Sequence, residues 1–319
     1  MKIEPEVYII IPIHALGLLK EEIQYFYPKW RFHWGEGGFV LFRTEKDFDL
    51  KKLQKLPITF SLCRGKLLLT GKKSEVKKEV KSALKKYDAH CVHYWDLIDE
   101  TGEMGDRKTR GNVIDLIRYG NDMYALGVRF QVRGDFAPFN GASPIPKAKN
   151  SPSKGYYKVA EAFKHFRPLV GHDEVFLDVG CSPGGSSYFL LKKGYRVIGV
   201  DPKPLDKIVY KDFPEGVIQL NQPFSKLKAK SLKGLPPVSW ILFDVDLPPL
   251  EALPKILKLM NKLEDCVGLI MMVKCGKTFS PSQFKELDKV ILDYGPFELK
   301  KSVLPSLDKE FCLILSRTD

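Results

Sequence analysis

The run Val175-Phe-Leu-Asp-Val-Gly-Cys-Ser-Pro-Gly-Gly185 decides how this chain is read. Five residues suited to a buried strand enter a glycine-rich turn, and the helix-forming stretch Ser186 to Lys193 follows. A strand, a tight turn and a helix N-terminus in that order place a ligand beyond the carboxyl end of the strand. Gly180 and Gly184 have no Cβ to keep a ligand away from the backbone. A second strand, Tyr195-Arg-Val-Ile-Gly-Val-Asp201, ends in a carboxylate 21 residues after Gly180, where an acid can accept both hydroxyls of an adenosine ribose.

The same alternation continues on the C-terminal side. Strands are expected at Val175–Val179, Arg196–Val200, Gly216–Leu220, Val238–Val245, Gly268–Val273, Glu298–Val303 and Glu310–Ser316, with helices between most of them. Such a pattern predicts a mostly parallel sheet of seven strands covered by helices on both faces. Upstream, Gly134 to Pro152 holds Pro138, Pro144, Pro146 and Pro152 among small residues and lysines, which reads as a linker. Ahead of it, Glu6–Pro12 and Phe39–Phe42 read as strands, His14–Tyr27 as a helix and Ile58–Thr70 as extended chain. Gly71 to Lys86 is a basic amphipathic helix whose lysines are candidate RNA contacts, Asp99 to Gly111 a loop, and Val113 to Val132 a helix and a strand around Gly120-Asn121-Asp122. Three regions are expected: 1–71 a small α+β domain, 72–148 a connecting region, and 149–319 the α/β domain.

Composition narrows the function. The 319 residues include 51 Lys and Arg against 39 Asp and Glu, a formal net charge of +12, which favours a polyanionic partner such as nucleic acid. Six scattered cysteines without a C-x-x-C pair exclude a zinc ribbon and a disulfide scaffold, and His90, Cys91 and His93 lack a second ligand pair. No metal is expected. No apolar run approaches the length of a membrane span and the N-terminus has no signal pattern, so a cytoplasmic location without membrane contact is expected.

The turn is neither the G-x-G-x-x-G of a dinucleotide site nor a P-loop. Asp178 suits a cationic amino-acid end better than a phosphate. Together, Asp178, Gly180, Pro183, Gly184, Gly185 and Asp201 resemble motifs I and II of class I methyltransferases, a Rossmann-like fold that binds S-adenosylmethionine. The segment Ser151-Pro-Ser-Lys-Gly-Tyr-Tyr-Lys158-Val-Ala-Glu161 is similar to the S-R-x-x-Y-K-L-x-E that precedes motif I in FtsJ-like RNA ribose 2'-O-methyltransferases. The turn Asp178-Val-Gly-Cys-Ser-Pro-Gly-Gly185 is similar to their D-L-G-x-x-P-G-G. The resemblance implies an active-site tetrad of Lys158, Asp244, Lys274 and Glu310, and a cofactor site formed by Asp178, Gly180, Cys181, Ser182, Pro183, Gly184, Gly185, Ser186, Asp201, Gln222 and Asp244.

These residue types suit the chemistry. A ribose hydroxyl must lose its proton as it attacks a sulfonium methyl group. A lysine takes that proton only when neutral, so its ordinary pKa of about 10.4 has to fall. The resemblance makes Lys274 the base, Asp244 its orienting partner, and Lys158 and Glu310 the groups that position the ribose. Amine methylation fits less well, because the prolines of Asp244-Val-Asp-Leu-Pro-Pro249 come too late for a [DN]-P-P-[FYW] motif. A cysteine mechanism also fits poorly: Cys275 points away from Lys274 in an extended strand, and Cys181 lies in the turn.

In overall plan the chain resembles the RlmM-type branch of that family, which acts on bacterial large-subunit ribosomal RNA. That resemblance implies a ferredoxin-like and then a THUMP-like RNA-binding region before the catalytic domain. His14-Ala-Leu-Gly-Leu-Leu-Lys-Glu-Glu-Ile23 is similar to its first helix, and Leu62-Cys-Arg-Gly-Lys-Leu-Leu-Leu69 to the strand closing its first domain. Ribosomal RNA is the favoured substrate. Transfer RNA or another structured RNA is the alternative, and an idle RNA-binding or assembly factor that keeps the fold is the reading from a different class.

Overall fold

A computed structural model describes residues 5–99, 101–104, 110–131, 145–146, 148–276, 279–280 and 282–318. The chain forms two compact units, residues 1–144 and 145–319. The expected linker at Gly134 to Pro152 lies largely outside the described residues.

The first unit contains β1 (Glu6–Ile10), α1 (Leu16–Phe26), β2 (Arg31–Glu36), β3 (Phe39–Arg43), α2 (Leu50–Lys55), β4 (Cys63–Lys72), α3 (Lys73–Lys86), β5 (Ala89–Asp96), β6 (Thr101–Met104), β7 (Gly111–Arg118) and β8 (Met123–Gln131). All eight strands share one sheet in the order β2-β3-β1-β4-β8-β7-β5-β6. Its first half, with helices after β1 and β3, is the βαββαβ arrangement of a ferredoxin-like unit. β4 then pairs with β8, so the sheet runs on across residue 71.

Two expectations change here. Of the stretch Val113 to Val132, the described residues 113–131 belong to the hairpin β7–β8, with no helix among them. Val113, Ile114, Leu116 and Ile117 are all buried, and a strand covered on both faces shows no period-2 alternation to reveal it. Within the supposed loop Asp99 to Gly111, residues 101–104 pair with β5 as β6.

A buried polar row crosses this sheet. Tyr8 lies over two glycines, and a Cβ on Gly127 would stand 2.3 Å from the Tyr8 ring. Its hydroxyl donates to Asp115, which also accepts from Trp95 Nε1 at 2.8 Å and Arg129 Nε at 2.8 Å. Arg129 meets His93 Nδ1 at 2.6 Å. Tyr8, Trp95 and Arg129 therefore all settle on one carboxylate, which is how buried polar groups become tolerable.

The second unit contains α4 (Gly155–Phe166), β9 (Val175–Val179), α5 (Gly185–Lys192), β10 (Arg196–Val200), α6 (Lys207–Asp212), β11 (Val217–Leu220), β12 (Trp240–Phe243), α7 (Pro249–Met260), β13 (Gly268–Lys274), α8 (Ser282–Tyr294), β14 (Phe297–Ser302) and β15 (Glu310–Arg317). The sheet order is β11-β10-β9-β12-β13-β15-β14. The first five strands are parallel, and β15 runs antiparallel to both neighbours. This is the mostly parallel seven-stranded sheet expected from the alternation, in a Rossmann-like order. Every residue of β9 is buried, as a central strand covered by helices requires. Strand order reverses at β9, where β10 lies on one side and β12 on the other, so the crevice for a ligand opens at the carboxyl end of β9. Among the described residues no helix is long and apolar enough to cross a membrane, and no group of His, Cys, Asp or Glu could hold a metal.

Candidate active site

Four elements carry Lys158, Asp244, Lys274 and Glu310 to one point. Lys158 stands in the first turns of α4. Asp244 directly follows β12, and its N–H continues the ladder to Val179 O at 3.0 Å. Lys274 ends β13 and Glu310 opens β15, where the antiparallel register makes them direct cross-strand partners. The side chains close a ring. Lys158 Nζ donates to Asp244 Oδ2 at 3.2 Å and to Glu310 Oε2 at 2.9 Å. Lys274 Nζ donates to Asp244 Oδ1 at 2.5 Å and to Glu310 Oε1 at 2.8 Å. Each carboxylate thus bridges both ammonium groups, one oxygen to each.

All four side chains keep between 13% and 19% of their surface exposed, so a substrate can reach them. Burial acts to lower the pKa of Lys274, but the charges and hydrogen bonds of Asp244 and Glu310 outweigh it and leave the pKa raised. Within this chain alone the amine is held as an ammonium. The fall that base chemistry asks of it has to come from positive charge brought to the ring.

Beside the ring lies the glycine-rich turn. Gly180 has φ +87, and a Cβ there would stand 2.4 Å from the Asp244 carbonyl oxygen. At Gly184, φ is +115, and a Cβ would meet Val209 at 2.8 Å. At both positions the missing side chain makes room for neighbouring protein, whereas the sequence suggested clearance for a ligand. Gly185 is pressed by Ser153 and the backbone of Tyr156, so the segment before α4 packs directly on the turn.

Asp178 is fully buried at the end of β9. Its Oδ2 accepts from Ser186 Oγ and Ser187 Oγ, each at 2.6 Å, while Oδ1 has no hydrogen-bond partner. Burial, resisted by the two serine hydroxyls and aided by the charges of Asp244 and Asp201, pushes its pKa up to about 6. A buried carboxylate oxygen left open calls for a cationic or hydrogen-donating ligand group, and the surrounding acids disfavour a polyphosphate. Asp201 Oδ2 accepts from Ser182 N at 3.3 Å and Oδ1 from Lys203 N at 2.8 Å, so it ties the two turns together. Ser182 Oγ donates to Pro204 O. Pro183 is exposed, and Gln222 is half-buried just beyond β11. The Cys181 side chain is packed in the core, and burial pushes its thiol far up, so only its backbone faces the turn.

Two residues escaped sequence reasoning. Ser187 joins Ser186 on Asp178. Glu161, fully buried one turn after Lys158, accepts from Ser306 N at 2.9 Å and Ser306 Oγ at 2.6 Å, and so holds the loop that leads into Glu310. Its place in the segment quoted before the turn was the available signal.

The model for FtsJ-like methyltransferases matches residues 152–314, from just before α4 to the last strand. The chain belongs to the FtsJ-like methyltransferase family. Among curated proteins, this FtsJ-like methyltransferase is similar to the ribosomal RNA large subunit methyltransferase M of Pseudomonas putida (strain GB-1), with 26% identity over 229 residues. That match covers 66% of this chain and 57% of the relative, so the chain spans little more than half the length of such relatives. The ribosomal RNA large subunit methyltransferase E of Treponema denticola is 36% identical over 103 residues, covering 30% of this chain and 49% of its own. Among solved structures, TrmN from Thermus thermophilus aligns over 98% of this chain and 100% of its own, at 13% identity and a TM-score of 0.35.

Proposed function

We propose that this FtsJ-like protein methylates the 2'-hydroxyl of an RNA ribose, with S-adenosylmethionine as donor and ribosomal RNA as the favoured substrate. The observation that carries the reading is the closed Lys158–Asp244–Lys274–Glu310 ring beside the Asp178 turn. Asp178, Gly180, Cys181, Ser182, Pro183, Gly184, Gly185, Ser186, Asp201 and Gln222 line the cofactor side, with the open Asp178 Oδ1 toward a cationic group. The donor supplies a methyl group already activated on a sulfonium.

The chain's part is to orient and deprotonate the hydroxyl. Lys274 is the base, and Asp244, at 2.5 Å, fixes the direction of its amine. Lys158 holds both carboxylates from the opposite side, and its positive charge opposes protonation of Lys274. Glu310 and Lys158 present an acceptor and a donor to the ribose. Holding hydroxyl and methyl in line supplies a large part of the rate when the electrophile needs no further activation.

The test is incubation of the purified protein with radiolabelled donor and unmodified RNA, followed by mass spectrometry of the nucleosides. A 2'-O-methylnucleoside is expected. Lys274→Ala should abolish transfer while donor affinity stays within a few-fold. A methylated base, or equal loss of transfer and donor binding, would overturn the assignment.

A further inference from the structure

The helix α3 of the first unit divides its surface by chemistry. Val76 and Ala83 are buried against the sheet, with Val80 and Leu84 partly buried beside them. At about 100° per residue these four fill one side of the helix. Lys77, Lys78, Lys81 and Lys85, all exposed, fall together within an arc of roughly 100° on another side. Ser74 lies in the same arc, and no apolar or aromatic residue of α3 does.

The acids of the region stand outside that arc. Glu75 and Glu79 lie about 60° and about 100° beyond Lys78 around the helix. Glu75 Oε2 accepts from the Lys72 N–H at 2.9 Å. Asp122 accepts from Lys73 N at 3.4 Å where the helix starts, and Asp88 follows where it ends. Among the described residues no carboxylate forms an ion pair with any of the four lysines. Lys77, Lys81 and Lys85 also stand four apart, a spacing at which like charges repel and weaken a helix. A helix that served only solubility would interleave lysine with glutamate at that spacing. The row is about 12 Å long, at about 1.5 Å per residue.

We propose that this lysine row binds the sugar–phosphate backbone of the RNA, holding it by charge without reading its bases. The inference rests on the reading of the protein as an RNA methyltransferase. The make-up of the face separates RNA from other partners. Protein interfaces draw on aromatic and apolar anchors and are poor in lysine. A membrane-bound helix turns its apolar side to lipid, and the apolar side of α3 is taken up by the sheet. Ammonium groups without a ring among them offer nothing on which to stack a base, so the contact falls to phosphate. No bond is made or broken there.

Two variants of the full chain test this, with two RNA hairpins of equal length and unrelated sequence as probes and fluorescence anisotropy at several salt concentrations as the readout. Lys77→Gln with Lys81→Gln and Lys85→Gln should weaken binding by about tenfold or more at low salt. The slope of log affinity against log salt should fall by about 2.7, three phosphates at about 0.9 each. Both hairpins should lose affinity by the same factor, since no base is read. The thermal midpoint should not drop, because the change removes repulsion within α3. Lys258→Gln with Lys262→Gln and Lys289→Gln, at exposed lysines of the second unit, removes the same charge and should leave affinity and slope close to the parent's. Donor affinity should stay constant in both. Parent-like RNA affinity and slope in the α3 variant would overturn the proposal, as would equal loss in the two variants or a loss confined to one hairpin. Loss of binding to phosphatidylserine vesicles with RNA binding intact would overturn it in favour of a membrane surface. If RNA binding responds as expected but no ribose is methylated, the functional reading fails and the lysine face stands. If methylation proceeds and the α3 variant binds RNA as the parent does, the reverse holds.

Discussion

Replacing Gly180 by Ala tests the link between the glycine-rich turn and the ring. Two costs follow from the geometry. At φ +87 an L-residue pays about 1–2 kcal/mol for the left-handed backbone. The added Cβ would also stand 2.4 Å from the Asp244 carbonyl oxygen and 3.0 Å from Val245. A tolerable carbon–oxygen contact needs roughly 3.2 Å or more, so the two strand ends have to part by about 0.8 Å, against the packing of a close-filled interior. Asp244 moves with its carbonyl, and its carboxylate is what spans Lys274 at 2.5 Å and Lys158 at 3.2 Å. A displacement near 1 Å in a reacting constellation costs about 100-fold in rate. The expected result is a fall in methyl transfer of about 100-fold at saturating donor, with a modest loss of thermal stability. Single-turnover transfer to RNA, together with calorimetric donor binding, measures both. Transfer within threefold of the parent would refute the claim that Gly180 sets the position of Asp244.

Asp178 gives a pH prediction. Its folded pKa of about 6 lies above the ordinary 3.8, so the folded state holds this proton more tightly than the unfolded chain. Its contribution to stability is therefore present at low pH and lost as pH rises through about 4 to 6. A cationic ligand prefers the ionised form, so donor affinity should strengthen as pH rises through about 6, and Asp178→Asn should flatten that dependence. In the first unit, Asp115→Ala leaves Arg129 buried without its carboxylate and should cost about 3–5 kcal/mol. Urea unfolding followed by tryptophan fluorescence reports it well, since Trp30, Trp34 and Trp95 lie in that unit and Trp240 in the other; an unchanged midpoint would contradict the assigned role. Ser306→Ala removes the hydroxyl bond to buried Glu161 and should cost about 1–3 kcal/mol. If the loop positions Glu310, transfer should also drop several-fold, and a stability loss without a rate change would separate the two.

The second unit was legible because its strands are apolar, short and evenly interleaved with helices. β9 and β10 fall at the expected residues, and the other strands start or stop within a few positions. The motif order likewise singled out Lys158, Asp244, Lys274 and Glu310, four side chains that the fold brings into contact. What the order could not show is that the carboxylates bridge the lysines pairwise, because this depends on β15 running antiparallel beside β13. Glu161 was invisible as a loop anchor since its partner Ser306 is 145 residues away. In the first unit, β5 reads Ala-His-Cys-Val-His-Tyr-Trp-Asp, where a buried histidine and aspartate hide the apolar pattern of a strand. The hairpin β7–β8 was hidden because both of its faces are buried, which removes the period-2 alternation of a strand with one wet face.

The passage of one sheet across residue 71 bears on how the N-terminal half can be handled. β4 pairs along one edge with β1 and along the other with β8. A polypeptide severed after Gly71 would leave a naked edge along residues 66–71, open to pairing with any neighbouring chain. The remainder would lose the strand against which its hairpin is laid. Recombination, truncation or tagging at that point would yield sticky halves, and an insert is better placed beyond β8.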